Sequence, residues 1–166
     1  MPGAVEPTFG SRLVDAIVSV GLASVLVTAL SVSRGALASP SRFALAGGVA
    51  YALACLGTYF LPRFLMDAFL SGVFAPQYLA WLLLLVGPLL VAQGAVPVYL
   101  AVDRGAVGAL GGLLVATALT LWVFLSLGGE TDVLALYPFV VFPVAAAVVA
   151  LSVGADLAVR ATTDLL

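Results

Sequence analysis

The chain has no histidine, no lysine and a single cysteine, and only 8% of its 166 residues are charged. Each shortage removes a class of chemistry. Without histidine there is no bis-histidine haem site, no HExxH zinc site and no Ser-His-Asp triad. Without lysine there is no Schiff base for retinal or pyridoxal phosphate, and no P-loop lysine. Cys55 alone can form neither an internal disulfide nor a CxxC thiol relay. The net charge is −2 and the arginines form no basic run, so a nucleic-acid partner has no electrostatic footing. No cofactor or metal is expected of this residue set. Arginine in place of lysine, with alanine, valine, glycine and leucine in abundance, hints at a GC-rich or halophilic source.

What is present is apolar. Hydrophobic residues make up 64% of the chain, with a mean hydropathy of +1.26. Soluble domains carry about 25% charged residues, and a soluble chain of this length could hide only part of so much apolar surface in one core. Lipid must therefore be the solvent for most of it. Charge-free runs extend over Ala16–Ser33, Phe43–Pro62, Ala68–Val102, Gly105–Gly129 and Val133–Ala155. A helix needs roughly 20 apolar residues to cross the hydrocarbon core. The fold class that follows is all-α: a polytopic transmembrane helical bundle of about five spans.

The expected domain organisation is a polar tail over residues 1–12, a single transmembrane domain over 13–153, and a cytoplasmic helical extension over 154–166. Within the domain the spans are Leu13–Val32, Phe43–Leu61 (stopped by Pro62), Tyr78–Val102, Ala106–Leu127 and Val133–Val153. Gly87-Pro88 and Pro97 interrupt the third span, and Pro138 and Pro143 the fifth. Each proline removes a donor and crowds the preceding turn, so both helices are expected to kink. Arg63, Asp67 and Ser71 recur at four-residue spacing opposite Phe64 and Phe69. Residues 63–72 thus read as a short interfacial helix with Arg63 toward water, the alternative being an irregular loop. Tyr59, Phe60, Tyr78, Trp81, Tyr99, Trp122 and Tyr137 lie near span ends and read as an interfacial aromatic belt.

With five spans, Arg34, Arg42, Arg104 and Arg160 fall on one side, and Arg12 and Arg63 on the other. That bias puts the N-terminus outside and the C-terminus in the cytoplasm of a multi-pass cell-membrane protein.

Few residues are candidates for chemistry. Gln93 sits mid-span between Pro88 and Pro97. A buried amide needs partners, and a proline-broken helix at that depth is where transporters often bind substrate. The plainer reading is an interhelical hydrogen bond to Thr117, Thr120 or Tyr51. Asp15 is the one acid placed to enter the hydrocarbon, where a carboxylate would suggest ion or proton handling. Arg12 lies one turn earlier, so an interfacial ion pair is the favoured reading. Gly108 and Gly112 form a GxxxG face against which another helix should pack, either in this chain or in a second copy.

Nothing converges on an active site, so an enzyme is the least supported class. The residues favour a non-catalytic subunit or accessory factor of a membrane complex. Its partners would be the lipid bilayer and either a second copy or another membrane protein. A small transporter or channel with a polar site near Gln93 is the alternative.

Overall fold

Each charge-free run becomes a helix long and apolar enough to cross a membrane in the computed structural model, which describes residues 6–33, 39–66, 75–127 and 133–163. The helices are α1 (Arg12–Val32), α2 (Pro40–Leu65), α3 (Pro76–Asp103), α4 (Val107–Phe124) and α5 (Val133–Thr163). The molecule is a multi-pass membrane protein built as an all-helical bundle. We call proximal the end at which α1, α3 and α5 begin, and distal the opposite end.

α4 is the hub. It touches α1, α2, α3 and α5, and it is the most buried of the five. Its glycines set this up. A Cβ added at Gly108 would stand 2.5 Å from the Ser152 carbonyl oxygen, and one at Gly112 would stand 2.9 Å from Val149 Cα. The GxxxG face is therefore pressed against α5 of the same chain. The other tight seam joins α2 to α3, where a Cβ at Gly48 would meet the Val91 carbonyl oxygen at 2.6 Å. α1 leans on α4 and is the least buried helix.

Pro88 and Pro143 act through π turns, while Pro97 sits inside the regular α-helical stretch Gly87–Asp103. Leu82–Val86 in α3 and Tyr137–Val141 in α5 are wound one residue wider than an α-helix. In each, the residue just before a proline closes the wide turn: Gly87 N–H donates to the Leu82 carbonyl ahead of Pro88, and Phe142 N–H to the Tyr137 carbonyl ahead of Pro143. A proline ring clashes with the carbonyl four residues back, and a widened turn moves that carbonyl aside. The expected kinks thus take the form of paired π turns, close enough that Trp81 and Phe139 rings lie 5.9 Å apart.

Several expected boundaries move. Pro62 does not stop α2, which runs on to Leu65, because Met66 N–H still reaches the Pro62 carbonyl and only one donor is lost near the helix end. The start of the expected 63–72 helix is thus the last turn of α2. Asp67, Phe69 and Ser71 lie outside the described residues, as does the acidic turn at Glu130. α4 ends at Phe124, and Ser126–Leu127 instead pairs antiparallel with Glu6–Pro7. α5 continues without a break to Thr163. At the distal end the Arg160 guanidinium pairs with Asp156 at 3.0 Å and donates to the Arg104 and Gly105 carbonyls that close α3. Gly105, at φ 64, supplies the left-handed residue that α3 needs to turn into α4.

Candidate functional site

Three helices and one π turn bring their polar side chains to a single buried point. Gln93 comes from α3, Tyr51 from α2, Thr117 and Thr120 from α4, and Tyr137 from the π turn of α5. Gln93 Nε2 donates to Tyr51 Oη at 2.8 Å and to Thr120 Oγ1 at 3.0 Å. Its carbonyl Oε1 accepts from the Tyr137 hydroxyl. Thr117 Oγ1 lies 3.3 Å from Tyr51 Oη and 2.6 Å from the Leu113 carbonyl, while Thr120 Oγ1 donates to the Ala116 carbonyl at 2.9 Å. All five residues are buried.

The protons can be counted. Each hydroxyl has one to give and the amide has two. Thr117 and Thr120 give theirs to the carbonyls of the preceding turn, Gln93 supplies Tyr51 and Thr120, and Tyr137 supplies Gln93. The Tyr51 hydroxyl faces both Thr117 Oγ1, at 3.3 Å, and the buried Cys55 thiol one turn along α2. Every donor of the cluster therefore has a partner within the bundle.

Local sequence makes this geometry. Gly94 follows Gln93, and a Cβ there would stand 2.8 Å from the Tyr51 ring, so the glycine opens the space through which Tyr51 reaches the amide. Thr117 and Thr120 are three apart on one face of α4. Tyr137 and Tyr59 both lie inside the bundle, against their reading as belt residues. Their rings flank Phe124, each 5.6 Å from it. Tyr137 is the first residue of the widened π turn in α5. A proline directly after a tyrosine near a span start is the one signal that could have flagged it.

A second polar cluster caps the proximal end. The final carbonyls of an α-helix have no intrahelical partners, and in lipid each must find one. At the end of α4 they are taken in succession: Phe124 by Arg63 Nη1 at 2.8 Å, Leu125 by the Thr8 hydroxyl, and Ser126 by Arg63 Nη2 at 2.7 Å. Arg63 is only 6% exposed, with its guanidinium 3.8 Å over the Tyr59 ring. It does not face water as expected. A cation suits a helix C-terminus, whose dipole is negative, and the carbonyls satisfy it there.

Asp15, 2% exposed, likewise does not pair with Arg12. Its carboxylate accepts the backbone N–H groups of Thr8 and Phe9, each at 3.0 Å. Arg12 stays exposed, and the folded-back N-terminal segment takes the place expected for it. Among the described residues no group of His, Cys, Asp or Glu is placed to hold a metal ion. Compared with known proteins, the chain matches no family model, no curated protein and no solved structure.

Proposed function

We propose that the chain is a non-catalytic subunit or accessory factor of a membrane complex, with its N-terminus outside and its C-terminus in the cytoplasm. The closed bonding of Gln93 carries this reading. Both amide protons are given to the chain's own hydroxyls and the carbonyl accepts from a third, so this intramembrane amide keeps no free donor for a solute. The outward faces are apolar instead: Leu13, Ile17 and Val25 on α1 and Leu151 on α5 are exposed, a surface for lipid and for a second copy or another membrane protein. The orientation draws on the arginines. Among the described residues Arg42, Arg104 and Arg160 lie at the distal end, whereas proximal Arg63 is drawn inward as a cap and leaves Arg12 as the exposed arginine there.

Extraction in mild detergent followed by identification of copurifying proteins tests this reading. A heteromeric partner at fixed stoichiometry is the expected result. A single homogeneous species, isolated repeatedly under the gentlest conditions, would overturn it.

A second reading, a small transporter or channel past Gln93, is favoured by one observation. An apolar groove of about 470 Å³ between α3 and α5 has Gln93 in its wall beside Ala92, Pro97, Phe142 and Ala146. Solute flux in reconstituted vesicles that vanishes in Gln93→Leu would support it. No flux, or flux indifferent to the substitution, sinks it.

A further inference from the structure

The N-terminal segment over residues 6–10 is fastened to the proximal end without a core of its own. Thr8 is buried, Pro7 is partly covered, and Phe9 and Gly10 are exposed. What holds the segment is polar. Two residues pair with Ser126–Leu127, the Thr8 hydroxyl reaches the Leu125 carbonyl, and the Thr8 and Phe9 N–H groups converge on the Asp15 carboxylate. Gly10, at φ 74, forms a left-handed pivot between this segment and Ser11, whose side chain caps α1. Behind the segment lies a cavity of about 230 Å³ lined by Pro7, Arg12, Asp15, Trp122 and Ser126.

We propose that residues 6–10 are a detachable strap, latched by the Asp15 carboxylate and hinged at Gly10, whose release opens the proximal cavity to solvent. Segments held by hydrogen bonds with little apolar burial open locally at far lower cost than the bundle unfolds. Asp15 is the element on which the hold converges, because an ionised carboxylate accepts both N–H groups at once. The Leu125 carbonyl and the edge of Ser126–Leu127 lose their partners when the strap leaves, whereas Arg63 keeps the Phe124 and Ser126 carbonyls capped. The two states therefore differ at the strap and leave the helices in place.

The test uses the full chain in detergent micelles with Cys55→Ala and a reporter, Ser126→Cys, read by its rate of reaction with a water-soluble maleimide. In Asp15→Asn an amide N–H₂ is set against a backbone N–H, and labelling should rise about tenfold, the equivalent of losing one charge-assisted hydrogen bond. The cooperative thermal transition should persist. Thr8→Val, which leaves the carboxylate intact, should give a smaller rise. Pro7 and Ser126 are directly paired, so Pro7→Cys with Ser126→Cys should oxidise to a disulfide that resists labelling until reduced. An unchanged labelling rate in Asp15→Asn, or loss of the thermal transition in both Asp15→Asn and Thr8→Val, would overturn the strap as a separable element. So would failure of the cysteine pair to oxidise.

Discussion

Removing the side chain of Gln93 strands its neighbours unequally. In Gln93→Leu, Tyr51 keeps Thr117 and Thr120 keeps the Ala116 carbonyl, but the Tyr137 hydroxyl has no second partner. A buried donor left unsatisfied costs about 1–3 kcal/mol, more than the roughly 0.6 kcal/mol of a typical membrane hydrogen bond. Tyr137→Phe strands the amide carbonyl in the same way. The double substitution strands neither, so its loss of stability should fall short of the sum of the singles by about 1 kcal/mol. Unfolding in mixed micelles measures that coupling, and strict additivity would show that the Tyr137–Gln93 bond contributes nothing. Gln93 is legible in the sequence because an amide amid apolar residues and prolines stands out, and the threonine spacing on α4 points to one face. Tyr137 is not legible, since tyrosine at a span end ordinarily marks the interface. Asp15 was open to a similar misreading: helical spacing proposes Arg12, but backbone N–H groups from a folded-back segment satisfy a carboxylate equally well and leave no mark in the sequence.

The glycines of α4 separate packing from composition. Gly108 and Gly112 lie against α5, while a Cβ on Gly111 would meet nothing within 4 Å. Gly108→Ala forces its methyl into the Ser152 backbone, which no side-chain rotation relieves, and should destabilise the bundle by about 1–3 kcal/mol. Gly111→Ala should be neutral or stabilising by up to about 1 kcal/mol, through helix propensity alone. Thermal midpoints in detergent decide the matter, and equal effects at the two positions would mean that α5 does not sit where it is described. The number and order of helices were readable from charge-free runs. Their ends were not, because a terminus in lipid is set by which carbonyls find a cap. Arg63 and Thr8 cap the end of α4, and neither is near it in sequence. The prolines told where α3 and α5 depart from ideal geometry, but whether a helix bends or widens depends on what it packs against.

For the molecule as a whole, the five spans and the arginine distribution make one topological demand. Cysteines introduced at Ser39 and at Glu130, in a background lacking Cys55, should label from opposite faces of sealed vesicles, with Ser39 on the cytoplasmic face. Labelling of both from the same face would mean that one of the crossings is wrong. The hub position of α4 has a consequence for how the protein is made. Synthesis runs from the N-terminus, so α1 enters the membrane long before the helix it rests against exists. α2 and α3 can close their seam as a hairpin on emergence, but α1, which meets α2 where Leu30 lies against Gly47, must wait for its main support until α4 is inserted. Its sequence suits that wait, with a mean hydropathy of 2.2 and Asp15 kept to the first turn. α4 then arrives between partners already in place, and α5 closes the last side.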